Sequence, residues 1–273
     1  MNAVNCLSAQ LKVYYGGKVV VPFPPRLHYV AKRMTKLGEL LLIVISCQLS
    51  SVESITVFYK PESQNESFTY GNAIQNFLPP NYKWLNATVI YQIDGHFTGD
   101  ELQAIKQAMK SIELISCVRF VERKYEVGYV RITAESTGCW ADTGRSLGVS
   151  ELNLGPGCFD SEGTVLHELM HTLGFLHQHT RPDRDQYVQI MYKNIIQRPE
   201  ILFNFEIVEP WTSFAFPLPY DYDSIMHYKP FMYSKDPQRL VTIATKNTAV
   251  TTIGQRDRLS ALDIISINFL YCV

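Results

Sequence analysis

No stretch of the 273 residues reaches the roughly 18 consecutive apolar positions that a membrane-spanning helix needs. Charge of either sign is not in excess: 25 Lys and Arg stand against 26 Asp and Glu, a formal net charge of −1. Such a balance carries no electrostatic footprint for nucleic acid or for an anionic membrane surface, so neither is expected as a partner. Cysteine is sparse, with six residues and no C-x-x-C pair, which argues against zinc held by four thiolates. No internal repeat is visible, and no Asp precedes Asp94. What is present is enough apolar material to fill a core: 46% of residues are hydrophobic and 19% charged, which excludes a disordered chain. The length suits one or two domains, and one catalytic-sized domain is the economical count.

Four regions can be read along the chain. Met34, Lys36, the apolar run Leu40 to Ile45 and the small polar residues after it have the pattern of a secretory signal, assigned to 34–51. Residues 1–33 then read as an upstream extension of the gene rather than native protein. A signal anchor preceded by Lys32 and Arg33, or a buried helix or strand, are the alternatives for the run. Residues 52–75 are rich in Ser, Asn, Pro and Gln without periodicity and read as a short propeptide or linker. The folded domain is expected over 76–273. Within it Thr88-Val-Ile-Tyr-Gln-Ile93 reads as a strand, as does the alternating segment from Tyr129 to Ala134. Thr98-x-x-Glu101 is a capping box opening a helix with Leu102, Ile105, Met109 and Ile112 on one face. A final helix is expected from Ser260 to Tyr271, with Leu262, Ile265 and Phe269 turned inward. Regular elements dominate to about residue 180, and irregular segments rich in Pro and aromatics follow.

Cys117, Cys139, Cys158 and Cys272 lie in the folded domain, an even number that suggests two disulfides in a secreted, extracellular protein. Spacing alone leaves three connectivities open. Asn65-Glu-Ser67 and Asn86-Ala-Thr88 are glycosylation sequons usable on the secretory route.

The chemistry is concentrated between Thr164 and Asp185. His167 and His171 stand four apart, so a helix projects them from one face toward one metal ion. Glu168 sits beside that metal without binding it and can act on a water. Gly174 allows the chain to leave the helix, and His177 comes back as a third ligand. Three neutral imidazoles favour zinc over calcium or magnesium, and a three-nitrogen set leaves a position open, the mark of a catalytic site. A lone H-E-x-x-H arises by chance often enough to be an ordinary helix. Here it extends through x-x-G-x-x-H, and Ser224-Ile-Met-His-Tyr228 follows, with Met226 supplying a soft apolar floor under the histidines.

With those residues in hand, the sequence resembles the astacin family of metalloendopeptidases, in the metzincin group. The family pattern H-E-x-x-H-x-x-G-F-x-H-E-x-x-R-x-D-R-D is matched from His167 to Asp185 with one departure, and the Met-turn S-x-M-H-Y at Ser224 to Tyr228. The likeness spans about residues 84–273, including Gly138-Cys-Trp140, Leu154-Gly-Pro-Gly-Cys158 and Leu259-Ser-Ala-Leu-Asp263. It implies an α+β, two-lobed fold: a twisted sheet and active-site helix above, and an irregular lower lobe closed by the C-terminal helix. It also implies the pairs Cys117–Cys272 and Cys139–Cys158. By position it makes His167, His171 and His177 ligands of one zinc ion, Glu168 the general base and Tyr228 a further ligand that can swing off zinc to stabilise the transition state. The implied activity is hydrolysis of internal peptide bonds in protein or peptide substrates by a metal-activated water, in a secreted monomer without stable membrane association.

Three departures matter. Gln178 stands where the family has a Glu that contacts the mature N-terminus, and glutamine cannot make that ion pair. The family's propeptide switch, an Asp in F-x-G-D, has no counterpart before Asp94; Phe97-Thr-Gly-Asp100 matches the letters but falls at the capping box, as a coincidence. Maturation is placed near Gly71-Asn-Ala-Ile74, and no accessory C-terminal domain is expected after Cys272. Either the propeptide is vestigial and another group blocks the site, or the true proregion is missing from the gene sequence. The competing reading, motivated by Gln178 and the missing switch, is a catalytically silent secreted zinc-binding protein of the same fold. His179 and His227 are expected to have structural or exposed roles rather than to bind metal.

Overall fold

The computed structural model describes residues 82–208 and 218–272, together with four strands before them whose backbone alone is described: β1 (Gln10–Tyr15), β2 (Gly17–Pro22), β3 (Leu40–Leu41) and β4 (Ser54–Tyr59). These four form one sheet in the order β2-β1-β4-β3, with β1 antiparallel to β2 and parallel to β4. The stretch read as a propeptide or linker contains β4, in keeping with its β-branched and aromatic letters Ile55, Thr56, Val57, Phe58 and Tyr59. The rest of the leader and propeptide assignments, Asn65 and Gly71–Ile74 included, lie outside the described residues.

The main folded unit is built on a five-stranded sheet in the order β6-β5-β7-β9-β8. Its strands are β5 (Thr88–Ile93), β6 (Arg119–Glu122), β7 (Tyr129–Thr133), β8 (Cys139–Ala141) and β9 (Val149–Leu154). Four run parallel, and β8 pairs antiparallel to β9 at one edge. Helix α1 (Gly99–Ile115) links β5 to β6, as parallel neighbours require a long crossover. Its capping box forms as read, Thr98 Oγ accepting from Glu101 N–H while Glu101 Oε2 accepts from Thr98 N–H. The buried face of α1 is Ile105, Ala108, Met109 and Ile112; Leu102, one turn earlier, is only half-buried. Helix α2 (Glu162–Thr172) packs on α1 and carries His167, Glu168 and His171. The core between them gathers Val89, Ile132, Leu152, Val165, Leu169 and Met170, all at most 1% exposed.

Beyond Thr172 regular structure thins out. A second apolar cluster, Val188, Ile195, Phe205, Tyr220, Tyr228, Ile243 and Ile253, organises the lower half around β10 (Val188–Ile190) antiparallel to β11 (Ile243–Thr245) and the one-turn α3 (Pro199–Leu202). Polar bonds replace strands here. Arg181 is buried, its guanidinium making a two-point pair with Asp183 at 2.8 Å on each side and donating to the carbonyls of Leu218 and Pro219. Arg184 donates to the carbonyls of His179 and Phe205.

The C-terminal helix α4 (Ala261–Cys272) corrects the face expected from sequence. Leu262, Ile265 and Phe269 are half-buried, and the buried positions are Asp263, Ser266, Ile267, Asn268 and Tyr271. An apolar-rich helix leaves hydrophobicity uninformative about its face, so hydrogen bonding decides. Tyr271 Oη donates to Leu173 O at 2.8 Å, and Asn268 Nδ2 donates to Ile115 O at 2.8 Å, each satisfying the carbonyl end of another helix. The disulfides join Cys117 to Cys272 and Cys139 to Cys158. The first spans 155 residues and ties the end of α4 to the end of α1; in the chain-entropy account such a loop contributes about 5 kcal/mol.

Candidate active site

Helix α2 is positioned at both ends. At its start Gly163 N–H and Ser161 Oγ both donate to Arg256 O. A Cβ at Gly163 would lie 2.1 Å from that carbonyl, so only glycine admits the approach. At its end Gly174 takes φ +99°, with Phe175 N–H bonding Met170 O and Gly174 N–H bonding His171 O, a Schellman stop. Trp84 Nε1 donates to Thr172 O at 2.8 Å. The chain therefore reverses directly after His171 and delivers His177 to the same point.

The three imidazoles converge as the spacing requires: one ring nitrogen of each of His167, His171 and His177 lies within 4.8 Å of the others, with His171 Nε2 and His177 Nε2 3.1 Å apart. His167 Nδ1 lies 2.8 Å from Ile225 O, and His171 Nδ1 lies 2.8 Å from Phe175 O. A carbonyl can only accept, so each of these Nδ1 atoms carries the proton and leaves its Nε2 with a lone pair. Burial, reinforced by neighbouring positive groups, keeps the rings neutral: His167 and His177 are held well below the usual imidazole range. His171 falls to about 4 from burial, against the pull of its bond to Phe175. Three neutral, converging nitrogens fit a zinc ion.

Glu168 is 4% exposed, and its Oε2 has no hydrogen-bond partner among the described residues. Burial raises its carboxyl to about 8, opposed by the Arg256 charge. An orphaned buried carboxylate oxygen beside three converging imidazole nitrogens marks a place for a ligand that brings positive charge or a proton.

The Met-turn is anchored from α4. Ser224 Oγ donates to Asp263 Oδ1 at 2.7 Å and Ile225 N–H donates to Asp263 Oδ2 at 2.9 Å, while Ile225 O receives His167. Met226, 2% exposed, belongs to the upper core. Tyr228 is buried, stacked on His179 with ring centroids 4.0 Å apart and 4.4 Å from the ring of His177. Burial pushes its phenol up, and the ring of Tyr233 meets it edge-on with centroids 6.0 Å apart.

His179 and His227 prove structural and fully buried: His179 Nε2 bonds Asn204 O, and His227 lies between the Tyr220 hydroxyl and Tyr228 O. Gln178 is buried as well. In the amide orientation that satisfies its neighbours, its oxygen accepts from Asp221 N–H at 2.8 Å and from Arg181 Nη1 at 3.2 Å. The residue thus stitches the segment after His177 to the Met-turn's approach, and Gln178 N–H bonds Met226 O. Asn86 is exposed, with φ +52°.

Sequence reasoning missed Asp263, Arg256 and Tyr233 as parts of the site. All three lie on segments far from the motif in sequence, and nothing local to them signals the contact. Arg256 Nη1 donates to His227 O at 3.0 Å, placing a largely buried cation near Glu168 and Tyr228.

Half-buried Asp221 and buried Asp263 form an acidic pair bridged by Ser260, whose hydroxyl donates to Asp221 and whose N–H donates to Asp263. Burial first, and then the Asp263 charge, raise Asp221 to about 7. Its folded value lies above the unfolded one, so its contribution to stability is complete below about pH 4 and is lost as pH rises through about 7. Urea midpoints of the wild type are expected to fall relative to Asp221→Asn between about pH 4 and 7 and to level off above. Parallel pH profiles for the two would show that Asp221 ionises normally in the fold.

An imidazole trio carried on a helix and its reversing turn, floored by a buried methionine on this two-cored α+β frame, defines a metallopeptidase of the metzincin class. Comparison with known proteins narrows the class. The sequence model of the Astacin peptidase family matches residues 77–272. Among curated proteins, the chain is 40% identical over 214 residues to astacin-like metalloprotease toxin 2 of Loxosceles intermedia, covering 76% of this chain and 79% of that one. It is 39% identical over 191 residues to tolloid-like protein 1 of Homo sapiens, covering 69% of this chain but 19% of that much longer protein. Among solved structures, high choriolytic enzyme 1, a hatching enzyme zinc-protease from Oryzias latipes, aligns with TM-score 0.63 and 35% identity over 73% of this chain and 98% of that one. The chain belongs to the astacin family and is a metalloendopeptidase of that family of zinc enzymes.

Proposed function

We propose that this chain is a secreted endopeptidase that holds one zinc ion on His167, His171 and His177, with Glu168 as general base and Tyr228 as a further ligand and transition-state partner. The observation that carries the reading is the meeting of three neutral imidazole nitrogens with the unpartnered Glu168 Oε2. The chemistry zinc supplies when bound there is acidification of a water and polarisation of the scissile carbonyl. Glu168, desolvated and adjacent to the trio, takes a proton from the water and hands it to the leaving amine. The Tyr228 hydroxyl donates to the oxyanion as it develops. Ile225 O and Phe175 O hold the rings of His167 and His171 in register, so the geometry is set before substrate arrives. Two disulfides and a relative named as a toxin support the extracellular assignment.

The test is hydrolysis of gelatin and of a quenched-peptide library by the secreted protein, with and without a zinc chelator. Cleavage at internal bonds that chelation abolishes and zinc restores is the expected result. Folded, zinc-loaded protein that cuts nothing would establish the silent binding protein instead.

A further inference from the structure

We infer that Asn86 carries an N-linked oligosaccharide, on a turn that the fold keeps free to bear it. The inference rests on the secreted reading given above.

Asn86-Ala-Thr88 is the one glycosylation sequon among the described residues. Three matching letters arise readily by chance, so the discrimination has to come from the fold. It comes from what each asparagine side chain does. Six asparagines fall among the described residues, and five of them are committed to structure. Asn153 Nδ2 donates to Ser136 O at 2.9 Å and to Gly138 O at 2.7 Å. Asn194, Asn204 and Asn268 each donate from Nδ2 to a main-chain carbonyl, those of Val241, Glu200 and Ile115, at 2.7 to 2.8 Å. Asn247 Oδ1 accepts from Ala249 N–H at 3.0 Å. Asn86 alone is exposed with a side chain bonded to no other described residue.

The backbone explains why the side chain stands clear. Trp84 is 2% exposed and tied by its indole N–H to Thr172 O, and Val89 in β5 is 1% exposed. The chain between these anchors turns outward, leaving Leu85 68% exposed. Asn86 takes φ +52° and ψ +31°, the left-handed region in which asparagine is favoured over other side chains. Thr88 Oγ1 donates to Asn86 O at 3.0 Å, closing the three sequon residues into one compact turn. A sugar at this position displaces no hydrogen bond and enters no packed surface.

The donor is a lipid-linked oligosaccharide pyrophosphate of the secretory route. Asn86 Nδ2 forms a bond to C1 of the first sugar as the bond from C1 to the pyrophosphate oxygen breaks. The pyrophosphate leaves with the electron pair, the amide nitrogen gives up one proton, and nothing is oxidised or reduced. Transfer takes place on the unfolded chain, so the part of the fold is to leave room for the product. A bulky, soluble group is tolerated only at a surface, where Asn86 lies.

The test expresses the full chain in animal cells in an Asn65→Gln background, so that any sugar reports on Asn86. Three further substitutions are added singly to it: Asn86→Asp, Thr88→Val and Thr88→Ser. Asn86→Asp accepts the left-handed backbone but removes the acceptor amide, Thr88→Val removes the sequon hydroxyl at similar shape, and Thr88→Ser restores it. Peptide:N-glycosidase is expected to speed the gel migration of the secreted background and Thr88→Ser proteins. It should convert Asn86 to Asp in their peptide mass spectra, with no change in the other two. The mass of the Asn86 peptide in the background protein decides the matter even where a variant fails to fold. Secreted background protein that the glycosidase leaves unchanged overturns the inference while the secreted reading stands. A migration shift that persists in Asn86→Asp overturns it as well. A chain found only in the cytosol overturns the secreted reading, and this inference with it.

Discussion

Glu168→Gln is expected to lower kcat/KM for peptide cleavage by about 10²–10⁴-fold, the range for losing a positioned general base. The amide keeps the shape of the side chain, and Oε2 has no partner to lose among the described residues. The rings of His167 and His171 are oriented by Ile225 O and Phe175 O, not by Glu168, so zinc content should stay at the wild-type level. Activity and metal binding are thereby separated. The check is a paired measurement of bound zinc by atomic absorption and of quenched-peptide hydrolysis. Retention of activity within tenfold of the wild type would remove Glu168 from the proton transfer.

Asp183→Ala is expected to destabilise the fold by about 3–5 kcal/mol, because it strands the Arg181 guanidinium in the interior. Arg181 is 1% exposed and Asp183 9%, and their two parallel bonds at 2.8 Å leave Arg181 no alternative anion among the described residues it touches. The carbonyls of Leu218 and Pro219 and the Gln178 amide oxygen complete its coordination, so the loss spreads to the segment that follows the third histidine. Replacing both partners by apolar residues of similar volume, Arg181→Met with Asp183→Leu, should recover most of the deficit, since no charge is then buried unpaired. Urea unfolding of the three proteins reads this out. A cost below about 1 kcal/mol for Asp183→Ala would mean that water reaches the guanidinium as it does at a surface pair.

These two expectations draw on different kinds of information. The histidine-bearing helix could be read from sequence because its geometry is local: His167 and His171 stand four positions apart, one glycine permits the reversal, and His177 returns six positions after His171. The capping box of α1 and the strand at Thr88–Ile93 were legible for the same reason, the partners being neighbours along the chain. The disulfide pairing was not, since four cysteines allow three connectivities; it came from family likeness and is found as implied.

The buried face of α4 went wrong where hydrophobic pattern has least to say. A helix with apolar residues on every side gives no direction, and Asp263, Asn268 and Tyr271 turn inward to bond the Met-turn and the ends of α1 and α2. The fate of Gln178 was likewise invisible: the sequence showed that an N-terminal ion pair could not form, but only the fold shows Asp221 and Arg181 using the amide instead.

By itself, then, the sequence picked out the histidine trio, the acid beside it and the family, because these depend on residue types at short fixed spacings. Tertiary structure alone decided which distant groups serve that site. Asp263 behind the Met-turn and Arg256 near Glu168 reach it from segments whose order in the chain says nothing of their distance in space. Their contacts exist because burying polar groups requires partners, and the partners come from whichever elements packing places within hydrogen-bond reach.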